Sequence, residues 1–189
     1  MMPVSKPKDL RTMPTIRELG EQDMPAYHAL RLAGLEAHPD AFGETADHFR
    51  RTTIDQLAVD LAISSSRGGF RLGAFEPTGK LIGVVSMGRS DGEKSKHRGL
   101  IWGMYVAAEA RGKGMGRHLL EKCIERAKLL PGLEQLQLSV VTSNVAACSL
   151  YKSLGFVCYG EDRGALKIGE DRFDEFLMVK WLLPQTGKK

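Results

Sequence analysis

The run Arg111-Gly112-Lys113-Gly114-Met115-Gly116-Arg117 holds the densest chemical signal in the chain. Glycines at 112, 114 and 116 let the backbone come close to a ligand, and successive N–H groups at the positive end of a following helix converge on one anion. A phosphate or pyrophosphate is the natural guest of such a turn; a tight connection before the helix is the alternative reading of Gly112 to Gly116. Two common phosphate-binding spacings are absent. Lys113 is followed by Gly114 and not by the hydroxyl residue with which a P-loop reaches magnesium, and the glycines do not run in the G-x-G-x-x-G order of a dinucleotide fold. A second group lies downstream: Leu138-Ser139-Val140-Val141-Thr142-Ser143-Asn144, then Ala147, Leu150-Tyr151 and Gly155-Phe156.

Both groups sit at joints between elements that the pattern predicts. Leu100 to Val106 is an apolar strand leading into the glycine turn. After the turn Leu119, Leu120, Cys123, Ile124, Ala127 and Leu130 recur at helical spacing, with charged residues outward and Pro131-Gly132 as the stop. Gln135 to Val141 alternates apolar and polar residues as a half-buried strand does. Asn144 caps a short helix whose Ala147, Leu150, Tyr151 and Leu154 share one face, Gly155 ends it, and Asn144 and Tyr151 point the same way. Upstream, Thr15 to Glu18 reads as a strand, and Asp23 with Pro25 opens a helix running to His38-Pro39. Thr53-Ile54-Asp55-Gln56 has capping-box form, with Ile54, Leu57, Ala58 and Leu61 on one face. Phe70 to Phe75 and Lys80 to Met87 form a hairpin around Pro77 and Gly79, and Phe156 to Gly160 with Phe176 to Trp181 form a terminal pair of strands. The whole is one α/β unit with no internal repeat.

Arg111-x-x-Gly114-x-Gly116 resembles the Q/R-x-x-G-x-G/A acyl-CoA signature of the GNAT superfamily of N-acyltransferases, and Asn144-x-x-Ala147-x-x-Leu150-Tyr151-x-x-x-Gly155-Phe156 is similar to that family's second motif. Order and separation match, and the likeness spans about residues 14 to 183. It implies a mixed, mostly antiparallel central sheet of about seven strands flanked by about four helices, with a CoA cleft between the fourth and fifth strands. It also implies acetyl-CoA as acyl donor, an amine acceptor (a small molecule or a protein amine), and transfer by direct attack in a ternary complex.

Carried over residue by residue, the resemblance assigns cofactor contact to backbone groups of Met104, Tyr105 and Val106, to Arg111, Gly112, Lys113, Gly114, Met115, Gly116 and Arg117, and to Asn144. Tyr151 matches the position of a general acid for the departing thiolate; a phenol with a pKa of about 10 keeps its proton at neutral pH. The segment Leu138 to Phe156 is most like ribosomal-protein alanine N-acetyltransferases, which carry a glutamate where this chain has Ser139. Glu44, His97, Asp174 and Glu175 are the alternative bases, and none is singled out. A non-catalytic acyl-CoA-binding or sensing domain of the same fold is the second reading that Ser139 leaves open. The acceptor rim falls on Leu35 to Phe49 and on a loop from Arg163 to Phe173, whose neighbouring acidic groups favour a cationic acceptor.

Composition agrees with these expectations. A chain of 189 residues with 42% hydrophobic content buries one core, and a formal charge of +4 suits a cofactor with three phosphates as well as it suits nucleic acid. The basic cluster Lys94, Lys96, His97 and Arg98 lacks interleaved aromatics and reads as a solvated loop, so no nucleic-acid partner is expected. No stretch is long and apolar enough for a membrane span, and the start lacks a secretion signal. Cys123, Cys148 and Cys158 show no metal or disulfide spacing and read as reduced core residues of a cytoplasmic protein. No metal site is expected, and assembly as a monomer or a homodimer is left open. Residues 1 to 13 read as a disordered tail, 14 to 183 as the single domain, and 184 to 189 as a flexible tail.

Overall fold

Seven strands make a single sheet in the computed structural model, which describes residues 14–182; the two expected tails lie outside the described residues. The strands are β1 (Thr15–Glu18), β2 (Phe70–Phe75), β3 (Leu81–Arg89), β4 (Arg98–Val106), β5 (Gln135–Val141), β6 (Val157–Ile168) and β7 (Asp171–Trp181). Their order is β1-β2-β3-β4-β5-β7-β6, antiparallel throughout except for β4 and β5. That one parallel pair is joined only at Arg98↔Gln135, Gly99↔Leu136 and Leu100↔Gln137. Beyond Leu100 the two strands part, as the expected cleft requires.

Helices cover both faces. α1 (Met24–Ala37), α2 (Ala46–Arg50) and α3 (Ile54–Ser66) pack on one side through Met24, Tyr27, Leu35, Phe49, Leu57 and Leu61, with Val84 beneath them. α4 (Met115–Lys128) and α5 (Val145–Ser153) cover the other through Leu119, Leu120, Cys123, Ala127, Cys148 and Tyr151, over Val85, Met87 and Ile101. Alternation along β3 divides these two cores: Val84 faces one and Val85 the other. At the start of α1 the carboxylate of Asp23 accepts from Arg17 Nη1 at 2.6 Å, Arg17 Nη2 at 2.8 Å and the Gly20 N–H at 2.8 Å. The Arg17 bond holds the Asp23 carboxyl below the usual range against the opposing effect of burial. Thr53 and Gln56 form the expected capping box. Among the described residues no helix is long and apolar enough to cross a membrane.

Three expectations change. The segment Arg163 to Phe173 is no loop but the turn end of a long hairpin: β6 and β7 pair from Val157↔Val179 to Ile168↔Asp171. Register shifts at Cys158/Gly160 and Asp162/Leu166 break the alternation, and both faces of β6 are largely exposed, so backbone pairing builds this element without a side-chain pattern to announce it. Cys158 is exposed on that strand, whereas Cys123 and Cys148 are buried as expected. A fifth helix, the five-residue α2, is capped by Thr45, whose hydroxyl accepts from His48 N at 3.2 Å.

Candidate active site

Where β4 leaves β5, a cleft of about 650 Å³ opens between the end of α1, β4, the glycine turn and α5. Its shape starts from a bulge in β4. Ser86 pairs with Trp102 and Val84 with Tyr105, so two β4 residues, Gly103 and Met104, stand opposite the single Val85. Gly103 takes φ +62, a left-handed conformation that costs other residues about 1–2 kcal/mol. Across the bulge, Trp102 and Tyr105 follow Ser86 and Val84 onto the α1 face, while Met104 and Val106 pack against the α4 core.

The glycine turn forms the cleft's polar end. Gly112 and Gly114 have φ +75 and +80, and Gly114 is the N-cap of α4 with no side-chain cap. Among the described residues the N–H groups of 112 to 117 have no hydrogen-bond acceptor. These are the orphan donors of a helix start, and a Cβ built on Gly112 or Gly114 meets nothing within 4 Å. Two arginines are braced beside them. Arg111 Nε donates to the Val106 carbonyl at 2.9 Å and its guanidinium lies 5.2 Å from the Tyr105 ring centroid. Arg117 Nη2 donates to Ser153 Oγ at 2.7 Å. Lys113 alone among the residues assigned from the sequence turns away: its Nζ donates to the Glu109 carbonyl at 3.0 Å, and its side chain lines a different hollow with Pro14 and Glu76. The others all line the cleft.

α5 contributes the remaining groups. Asn144 Oδ1 accepts from Ala147 N at 3.1 Å, fixing the helix start, while the residue also lines the cleft. Tyr151 is 8% exposed; its ring meets Phe156 edge-on at 5.9 Å, and its hydroxyl donates to Met104 Sδ at 3.7 Å. Burial, then the nearby Cys148 and Cys123 thiols, pushes its pKa up to about 12. The phenol therefore stays a proton donor across the neutral range.

Basic groups are sparser. Ser139 is exposed on β5 opposite Leu177. His97 precedes β4 at its far end, roughly 25 Å of strand from Tyr105, and lines another hollow with Arg67 and Arg89. Asp174 Oδ1 accepts from Gly164 N at 2.7 Å and so braces the β6–β7 hairpin. Glu175 pairs in register with Val141 on the edge of the cleft, and Glu44 contacts Arg31 and His48 at 3.5 and 3.4 Å. Sequence reasoning placed the acceptor rim on Leu35 to Phe49 without singling out His38, Asp40 or Phe42, which line the cleft from the end of α1 and the 3-10 turn Pro39–Ala41. Arg111 Nη2 has only protons to give, so His38 Nε2, 2.9 Å away, accepts and the ring proton sits on Nδ1. Within that segment a His-Pro-Asp step after a helix has no period that would mark individual residues.

Residues 31–156 match the model of the Acetyltransferase (GNAT) family. The chain is 30% identical over 150 residues to an L-methionine sulfoximine/L-methionine sulfone acetyltransferase of Pseudomonas aeruginosa, covering 78% of this chain and 82% of that protein. A GNAT-family acetyltransferase from Streptococcus pneumoniae superposes with a TM-score of 0.80 at 30% identity, covering 89% of this chain and 98% of the other. The fold is also that of an acetyltransferase from Salmonella typhimurium solved with its cofactor acetyl-CoA: TM-score 0.80, 21% identity, 93% of this chain and 98% of the other.

Proposed function

The chain belongs to the acetyltransferase (GNAT) family, with acetyl-CoA as acyl donor, and from that premise we propose that it moves the acetyl group to a primary amine by direct attack in a ternary complex. The observation that carries this reading is the junction of two features at one cleft: unpartnered N–H groups at the start of α4 and a buried, protonated Tyr151 on α5. The N–H groups and the positive helix end suit the pyrophosphate. Arg111 and Arg117 stand beside that end, and the exposed edge of β4 from Met104 to Val106 offers backbone partners to the pantetheine arm, as an added strand would use them.

The reaction then follows from the groups present. The acceptor enters as an ammonium, loses one proton to water, and its nitrogen lone pair attacks the thioester carbonyl. The C–N bond forms, the C–S bond breaks, and the leaving thiolate takes the proton of the Tyr151 hydroxyl, which solvent restores; the second nitrogen proton also passes to water. Tyr151 is suited to this step because desolvation disfavours the free phenolate, so the hydroxyl carries its proton at neutral pH and can give it as negative charge develops on the sulfur beside it.

The test is thiol release from acetyl-CoA across an amine panel: free amino acids including methionine sulfone, their methyl esters, a polyamine, and a peptide with a free N-terminus. Acceptor-dependent release with at least one amine is the expected result. Calorimetric binding of acetyl-CoA without release for any amine would replace catalysis by a sensing role.

A further inference from the structure

Two polar side chains buried beside the cleft each present an atom with no hydrogen-bond partner among the described residues. Arg31, in the middle of α1, is 5% exposed, and its Nη1 makes no hydrogen bond among the described residues. Ser86 on β3 is 1% exposed, and its Oγ is unpartnered in the same sense. Both atoms converge on one point: a Cβ built on Gly103 stands 3.9 Å from Arg31 Nη1 and 3.9 Å from Ser86 Oγ. The rest of the guanidinium is held in place, with Cζ 4.4 Å from the Phe42 ring centroid and Nη2 3.5 Å from Glu44 Oε2. A guanidinium keeps its charge in any protein environment, and one long contact to a partly exposed carboxylate compensates it poorly. A donor pair of this kind, one of them cationic, is complementary to an oxyanion.

Position in the fold says which anion. Trp102 stands opposite Ser86 in register, on the α1 face, and is 37% exposed. Two residues on, Met104 turns to the other face, where its Sδ meets the Tyr151 hydroxyl. Arg31 and Ser86 thus reach the bulge from one side of the sheet and Tyr151 from the other, past the point where β4 and β5 have parted. A Cβ on Gly43 would lie 3.8 Å from Leu166, so the loop carrying Phe42 and Glu44 closes against β6 on that same side. The glycine turn leads into α4 on the other face, which leaves the α1 side of the bulge for the acceptor.

We propose that Arg31 Nη1 and Ser86 Oγ bind the carboxylate of the acceptor, which makes the acceptor a free amino acid. This rests on the acetyltransferase reading above and deepens it. A carboxylate at the bulge accepts both unmade hydrogen bonds and neutralises the buried cation, and its α-amine, two bonds from the carboxyl carbon, points to the gap between the strands. A polyamine, or the N-terminus of a protein, carries no carboxylate at that distance and leaves the cation unpaired.

The experiment compares free amino acids with their methyl esters in wild type, Arg31→Met, Arg31→Lys and Ser86→Ala, by thiol release and by calorimetry of the acid on the CoA complex. Wild type is expected to prefer the free acid by about 100-fold in kcat/KM, the usual scale for an interaction with a buried charge. Arg31→Met should bring acid and ester within about threefold through KM, with acetyl-CoA affinity unchanged, and Arg31→Lys should restore part of the preference. Ser86→Ala should cost the acid about tenfold and spare the ester; it carries the test alone if the arginine variants do not fold. Equal use of acid and ester by wild type, or variants that move only the melting temperature, would overturn the proposal and leave a water-filled structural pair. Arg31-dependent binding of the acid with no thiol release for any amine would sink acetyl transfer and keep the carboxylate site.

Discussion

Tyr151→Phe separates chemistry from stability because the two effects of removing one oxygen differ so much in size. The hydroxyl's one bond goes to Met104 Sδ at 3.7 Å, a long contact to a weak acceptor, while the ring's packing on Phe156 survives the substitution. Net loss of stability should stay under about 1 kcal/mol, or a fall of no more than about 4 °C in Tm for a domain of this size. If the same hydroxyl protonates the leaving thiolate, the chemical rate should drop by about 10² to 10⁴, which is roughly 2.7 to 5.5 kcal/mol of barrier. The assay is single-turnover thiol release at saturating acetyl-CoA, run with calorimetry and a melting curve. Cofactor affinity should remain within about twofold, since the turn and the arginines that flank it are untouched. A stable Tyr151→Phe protein with the wild-type rate for the chemical step would refute the general-acid role; weakened affinity at full rate would make Tyr151 a binding residue.

Gly114→Asp should raise the acetyl-CoA Kd at least about tenfold, near 1.4 kcal/mol, because its Cβ and carboxylate would enter the open space before α4 at φ +80; an unchanged Kd by calorimetry would move the pyrophosphate elsewhere. Alkaline stability should report the buried phenol: with the folded pKa raised to about 12 from 10, its contribution is whole below pH 10 and is lost as pH rises through 12. Between about pH 9 and 11.5, denaturant unfolding of wild type should lose roughly 2 kcal/mol that Tyr151→Phe does not, and parallel losses would mean that Tyr151 titrates as an exposed tyrosine does.

Local rules carried much of this protein in its sequence. The glycine turn was legible because left-handed backbone at 112 and 114 and an uncapped helix start are demanded by residue type, whatever surrounds them. Strand β5, the Thr53 cap and the helix faced by Tyr151 were legible because their periods are written in consecutive residues. The β6–β7 hairpin was not, since its register shifts and two wetted faces erase the alternation, and its partner is fixed by pairing across the sheet. Nor were the individual places of His38 and Phe42 within the expected rim Leu35 to Phe49, or of Arg31. Their place depends on how the α1 end and the loop to α2 fold back on the sheet, which no local spacing encodes. The glycine-turn end of the cleft is a property of backbone conformation, and sequence alone determined it. The proposed acceptor site is a meeting of α1, β3 and a bulge in β4, residues 31, 86 and 103, and only tertiary structure decided it, because burial converted an ordinary arginine and serine into donors that require a partner.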